Sequence, residues 1–263
     1  MQTLKPLFDP RQTGRPLRLA AFLSGSGSNV VQILERGSEL YKVVFLFSDR
    51  TDGKCRGQEI AHRFGLPYFG YDVRRFHQLR NLPRTVATPR GLAARREFDQ
   101  VAQHLVAAFS IDLIALGGYM SFLTLPGAVN VHPADLSRQE ADGRRRFVGD
   151  DAVYDAIAAG QSELRSSTLY TDLGVDSGPL LMVSDPLPVE LPAPLAELLA
   201  DPARLRQVAD AHQERLKEAG DWVILPLTIE LIASGRLALD AAGVVHLDGR
   251  PFPGGVRPAD LAG

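Results

Sequence analysis

Cysteine is almost missing from this chain: Cys55 stands alone among 263 residues. An intramolecular disulfide is excluded, and so is a zinc site built from the cysteines of one chain. A cytoplasmic protein is the expectation. Net charge is also nearly missing. Lys and Arg total 29 against 31 Asp and Glu, a formal charge of −2, so nothing points to nucleic acid as a partner. No run reaches the roughly 18 apolar residues of a membrane span. The opening "MQTLKPLFDPRQTGRPLRLAAFLSG" lacks a signal-peptide layout; its short apolar run leads straight into a glycine loop, as a first strand would. What remains is a chain that is 45% hydrophobic, enough for one large domain or two small ones with a substantial core.

Apolar runs and helical patterns alternate along it. Residues 1–16 are rich in Pro, Arg and Thr and predict an irregular lead-in. Leu17 to Leu23 reads as a strand, "SGSGSN" as a loop and "VVQILERG" as a helix. "YKVVFLFSDR" is a continuous apolar run, the pattern of a fully buried strand. A helix closed by Gly65 and a strand "LPYFGYD" follow. Residues 77–92 carry two prolines and predict a loop, and "AARREFDQVAQHLVAAF" an amphipathic helix. "DLIALGGYM" and "GAVNVHP" are further strands. The alternation predicts an α/β fold with a doubly wound, mostly parallel sheet. After a polar stretch and a helix "DAVYDAIAAG", residues 166–191 read as an antiparallel hairpin turning at "DSGP". Two helices, 201–220 and 222–235, precede a tail that reads as a short C-terminal hairpin. No internal repeat is evident.

Three places carry candidate chemistry. The "SGSGSN" loop lies between a strand and a helix, where backbone N–H groups face an anion. Val30 stands where a dinucleotide fingerprint needs glycine, and no Gly-Lys-Ser/Thr follows, so a monophosphate fits best; a plain tight turn is the competing reading. Asn130 and His132 lie two apart on a strand, so their side chains emerge on one side. They stand at its carboxyl end, where open α/β sheets bind ligands. An amide beside an imidazole can donate to a developing oxyanion, and the imidazole can move a proton; a polar strand end is the bland alternative. Asp176, in "VDSGP", is either turn chemistry or the acceptor that orients His132. The other five histidines are scattered without metal-ligand spacing. "GRRRF" at 143–147 is a basic run, ordinarily a solvated loop. By residue type Met120, Phe122, Leu123 and Trp222 read as packing.

Taken in order, "LSGSGSN", "VVFLFSDR", "ALGGYMSFLT", "VNVHP", "GDDAVYDAIAAG", "VDSGPLL" and "DWVILPLTIELIASGRLAL" resemble the folate-dependent formyltransferases, and among them the phosphoribosylglycinamide (GAR) formyltransferases of purine synthesis. The resemblance spans roughly residues 17 to 240. It implies a Rossmann-like formyltransferase domain over 17–240, with 1–16 as lead-in and 241–263 as tail. It implies a formyl group moving from 10-formyltetrahydrofolate, as co-substrate and without a metal, to a primary amine. Asn130, His132 and Asp176 match the family's catalytic Asn, His and Asp. Gly25, Ser26, Gly27, Ser28 and Asn29 match the phosphate-holding loop. Arg95 matches a second phosphate ligand, with Arg96 adjacent, and Asp221 a Glu on the amine side. Met120, Phe122 and Leu123 match one lip of the pterin pocket, Gly174 and Val175 the other. The implied partners are small molecules, with neither nucleic acid nor membrane, and a homodimer stays open. Around the acceptor side the pattern departs: "PADLSRQEADGRRRF" replaces Pro-Ser-Leu-Leu-Pro after the His, "LRSSTLY" replaces His-Gly-Thr-Ser-Val-His, Ser121 stands for a common Arg, and 77–92 is long.

Rival readings follow from those departures. The acceptor could be another amine, such as that of an amino sugar nucleotide. The folate could be hydrolysed, although the related hydrolases carry an extra N-terminal domain for which sixteen residues are too short. A non-catalytic folate- or nucleotide-binding module would need no convergence of Asn130, His132 and Asp176. A nicotinamide oxidoreductase is disfavoured by Val30, with Asp49 the only acidic residue placed to bind a ribose.

Overall fold

A computed structural model describes residues 4–262. In chain order its elements are β1 (Lys5–Pro6), α1 (Pro10–Thr13), β2 (Leu17–Leu23), α2 (Ser28–Arg36), β3 (Tyr41–Ser48), α3 (Gly57–Phe64), β4 (Tyr68–Gly70), α4 (Val73–Leu79), α5 (Pro89–Ala108), β5 (Leu113–Leu116) and β6 (Ala128–His132). There follow α6 (Ala152–Ala158), β7 (Glu163–Leu164), β8 (Ser167–Tyr170), β9 (Leu180–Val183), β10 (Leu187–Pro188), α7 (Leu195–Ala200), α8 (Pro202–Leu216), a π-turn (Lys217–Asp221) and α9 (Trp222–Ala233). Last come β11 (Leu237–Leu239), β12 (Val245–Leu247), β13 (Arg250–Phe252) and a 3₁₀ turn (Pro258–Ala262).

The central sheet has the order β4-β3-β2-β5-β6-β8-β9. Pairs from β4 to β6 are parallel, and β8 and β9 add an antiparallel edge. Strand β2 explains why the core has two halves. Its residues alternate sides: Leu17, Leu19, Ala21 and Leu23 pack with Val30, Ile33 and Ile229 on one face, while Ala20 and Phe22 meet Phe45, Phe47 and Ala102 on the other. These six of the seven β2 residues are fully buried, Arg18 being the exception, as a strand covered on both faces requires. The chain leaves β2 toward β3 and returns on the other side as β5, so a crevice opens beyond the carboxyl ends of these two strands.

Two expectations need correction. The lead-in is not irregular throughout: within its described residues, 4–16, β1 pairs with β11, and Asp9 caps α1 by accepting from the Arg11 and Gln12 amides. Strand β1 has only two residues and no pattern to read, because its partner lies more than two hundred residues away in sequence. With β12 and β13 it forms a four-stranded antiparallel sheet that contains the expected C-terminal hairpin. Nor is 77–92 all loop. Asp72 caps α4 through the Arg75 amide, carrying that helix to Leu79. Thr88 caps α5 with Pro89 as its first residue, four positions before the expected start. No helix among the described residues is long and apolar enough to cross a membrane.

Candidate active site

The glycine loop closes the crevice at the end of β2. Gly27 takes a left-handed φ of 68° and offers no capping side chain, so the first amides of α2 stay open toward the cleft. The loop is pinned rigidly: the Ser24 amide donates to the Gly118 carbonyl (3.0 Å) and the Arg56 amide to the Gly25 carbonyl (3.0 Å). Glycine at 117 lets α2 come close, since a Cβ there would stand 2.6 Å from Val30 Cγ2. Asp49 sits beneath. Its carboxylate accepts from Ser24 Oγ at 2.6 Å and from Ser121 Oγ, and is 2% exposed. A group so enclosed cannot hold a ribose, which removes the feature that favoured a nicotinamide enzyme.

These parts wall a cleft of about 580 Å³. Gly25, Ser26, Gly27, Ser28 and Asn29 line it, as do Asn130, His132, Asp176 and Asp221. Met120, Phe122 and Leu123 form one lip and Gly174 and Val175 another; Met120 and Val175 are exposed large apolar side chains. Asn130 and His132 reach the cleft from the last residues of β6, where Pro133 ends the strand. Asp176 arrives from the β8–β9 connection with a left-handed φ of 50°. Its Oδ2 stands 3.5 Å from His132 Nδ1. The other ring nitrogen, Nε2, lies 2.9 Å from the Phe147 carbonyl. Both neighbours are acceptors, so both ring nitrogens face groups to which an N–H can donate.

Asp221 lies at the floor, and the helix geometry puts it there. The segment between α8 and α9 is one π-turn, which carries an extra residue and rotates the side chains after it. Asp221 is thereby buried, accepting from Ser166 Oγ (2.5 Å) and Asn29 Nδ2 (3.4 Å). Burial pushes its carboxyl above the usual carboxylate range, against the opposing pull of those hydrogen bonds. Asn29 Oδ1 is buried without a partner among the described residues. Lys217, at the start of the same turn, also lines the cleft, with its Nζ 2.6 Å from Glu214 Oε1.

Arg95 is not where the resemblance puts it. It lies on the inner face of α5, 4% exposed, and is not on the cleft wall. Its guanidinium stands 3.2 Å from Asp99 and donates to the Tyr119 hydroxyl at 3.0 Å. Arg96 faces solvent away from the cleft. The cations that do reach the wall are Lys217 and Arg50, neither singled out by the sequence. Lys217 could have been found four residues before Asp221 in a helical segment; Arg50 had only its place after a buried strand.

Known proteins match this chain in sequence and fold. The family model described as "Formyl transferase" matches residues 17–190. A phosphoribosylglycinamide formyltransferase of Bacillus subtilis is 28% identical over 62% of this chain and 76% of its own length. The trifunctional purine biosynthetic protein adenosine-3 of Gallus gallus is 22% identical over 87% of this chain, which spans only 20% of that longer protein. The crystal structure of glycinamide ribonucleotide transformylase 1 from Symbiobacterium toebii superposes with a TM-score of 0.63, at 25% identity over 89% of this chain and 95% of the other. With a match over well more than half its length, on a sheet whose crevice gathers the expected amide, imidazole and carboxylate, the chain belongs to the formyl transferase family.

Proposed function

We propose that this protein transfers the formyl group of 10-formyltetrahydrofolate to the primary amine of glycinamide ribonucleotide, in the cytoplasm. The observation that carries the reading is the shared cleft: an open helix N-terminus at Gly25 to Asn29 and the His132–Asp176 pair face one cavity of about 580 Å³. A ribonucleotide phosphate on the loop amides directs its amine to the imidazole, removing much of the entropic cost of meeting the donor. Lys217 supplies the positive charge that Arg95 does not. The pterin enters between the Met120 and Val175 lips. Their exposed apolar side chains suit a flat aromatic ligand.

The amine nitrogen attacks the formyl carbon, and the carbonyl oxygen becomes an oxyanion. Asn130 Nδ2 and the His132 imidazolium donate to it; a well-placed donor of this kind contributes about 3 kcal/mol. Nδ1 stays with Asp176, so Nε2 exchanges the Phe147 carbonyl for the oxyanion. Collapse breaks the bond from the formyl carbon to N10 of the folate, and N10 takes the proton the amine gives up. Asp176 steadies the imidazolium throughout. Asp221 receives the amine side of the acceptor at the floor.

A spectrophotometric formyl-transfer assay tests this, with 10-formyltetrahydrofolate against GAR, an amino sugar nucleotide and water. Turnover with GAR alone is expected. Preference for the amino sugar, or folate hydrolysis without acceptor, would replace the acceptor assignment.

A further inference from the structure

The basic run at 143–147 faces the site from behind, and its chemistry belongs to neither substrate pocket. Residues 138–146 form a small hairpin: the Arg146 amide donates to the Arg138 carbonyl, the Glu140 amide to the Arg144 carbonyl, and Gln139 bridges Arg145. Alternation along it sends Arg144 and Arg146 outward, to Asp142 and Glu140. Arg145 turns inward. It meets no carboxylate oxygen within ion-pair distance among the described residues. Its Nη1 donates to the Asp176 carbonyl (2.5 Å) and its Nη2 to the Gly178 carbonyl (2.8 Å). Burial holds this guanidinium below its ordinary value, with Asp176 and Asp172 opposing. A half-buried cation spent on two main-chain carbonyls is an expensive way to hold a loop, unless the loop's position matters.

The loop it holds is the one that presents Asp176. That residue keeps a positive φ, which a non-glycine residue resists. Gly178 follows, where a Cβ would lie 2.0 Å from the Tyr170 carbonyl oxygen, so the chain is already at its closest approach to β8. The fork of Arg145 spans the carbonyls of both residues, a two-point grip that a lysine cannot reproduce. From the same hairpin's exit, the Gly149 amide donates to Asp176 Oδ2 at 3.1 Å and the Phe147 carbonyl meets His132 Nε2.

We infer that Arg145 is a positioning residue for formyl transfer: its guanidinium clamps the Asp176–Gly178 turn and thereby sets the carboxylate against His132. Arg145 lies off the cleft wall, so it acts on catalysis through Asp176 and not on the substrates. The inference rests on the reading of His132 and Asp176 as the reacting pair.

The test uses the full chain in the formyl-transfer assay, with Arg145→Ala, Arg145→Met and Asp176→Asn. A displacement near 1 Å in such a group costs roughly 100-fold. Arg145→Ala is therefore expected to lose about 100-fold in kcat, with KM for both substrates nearly unchanged. Guanidinium ion added at non-denaturing concentration is expected to relieve part of the loss by refilling the clamp. Arg145→Met keeps the packed stem and loses the clamp, so it is read in place of the alanine variant if that one fails to fold; its kcat must fall equally. A kcat within a fewfold of wild type, a loss carried in KM, or a loss that guanidinium ion does not relieve in Arg145→Ala overturns the inference. An Asp176→Asn variant with normal turnover instead overturns the reading beneath it.

Discussion

His132 Nδ1 and Asp176 Oδ2 stand 3.5 Å apart, although one residue ends a parallel strand and the other occupies a connection between antiparallel strands more than forty residues on. Both side chains are largely buried. The carboxylate's other partner is the Gly149 amide, which donates to the same Oδ2 at 3.1 Å. His132→Ala is expected to lower kcat by about 10²–10⁴-fold, the range of general acid–base assistance. Asp176→Asn should fall in the same range, because an amide leaves the imidazolium without its counter-charge. Near-normal turnover in either purified, folded variant would reject the pair as the reacting groups.

Asp221 and Asn29 meet imperfectly, and that mismatch is measurable. Below the ordinary carboxylate range the acid is neutral in folded and unfolded chains alike, and its burial costs little. As pH rises through the raised folded value, the folded chain must carry a buried charge that the unfolded chain carries in water, so stability falls. Asp221→Asn never ionises. Its amide can donate to Asn29 Oδ1 once the Asn29 amide turns over, which replaces the present Asn29 Nδ2 bond one for one, so the gain comes from removing the buried charge. The variant should be the more stable protein at neutral pH, and the difference should shrink on acidification. Urea unfolding of both proteins across that pH range decides it; parallel pH slopes would show that this carboxyl does not titrate differently on folding. In the same variant KM for the acceptor should rise, since the amide no longer offers charge to an amine.

The parallel sheet was legible because a strand buried on both faces must be apolar throughout, as Phe45, Leu46 and Phe47 are. The cleft was legible because its pieces sit where strands end, at "SGSGSN", "NVH" and "DSGP". What was not legible depends on partners distant in sequence. Lys5 and Pro6 have no strand pattern and become a strand only against Leu239 and Ala238. Asp99, four residues on in the same helix, already allowed an ion pair with Arg95, but only the fold shows that face buried and Tyr119 beside it, which separates Arg95 from a phosphate ligand. The π-turn that aims Asp221 inward leaves no mark in hydrophobic period. The Thr88–Pro89 start of α5 was readable as a cap followed by a first-turn proline, but Pro83 and Pro89 together suggested a loop instead.

Gly117 sets how closely the glycine loop and the start of α2 approach the sheet. In Gly117→Ala the new Cβ would lie 2.6 Å from Val30 Cγ2 and 3.2 Å from the Val30 amide nitrogen. The side chain can yield, but the amide moves only if the start of α2 moves. Overpacking of this kind costs about 1–3 kcal/mol. KM for the acceptor should rise more than KM for the folate, because the displaced amides are those proposed to hold the phosphate. Adding Val30→Ala removes the closer clash and should recover part of both losses. If the double variant is no better than the single, the contact with Val30 is not what limits the approach.

Arg95 separates a structural cation from a binding one. Asp99 is 1% exposed and accepts from the Thr124 amide (2.7 Å) and hydroxyl (2.8 Å). Burial raises its carboxyl above the usual range, with Arg95 the leading opposing influence. Replacing Arg95 by Met strands that carboxylate. Breaking one side of a buried pair costs about 3–5 kcal/mol, and the loss should appear as a lower urea midpoint. Adding Asp99→Asn removes the stranded charge and should return much of it. Below the melting range, KM for the phosphorylated acceptor should stay within a fewfold of wild type in Arg95→Met, while Lys217→Met raises it about tenfold, the scale of one charge-assisted contact at roughly 1.4 kcal/mol per decade. A large rise in acceptor KM for Arg95→Met with an unchanged urea midpoint would return Arg95 to the phosphate and remove it from the core.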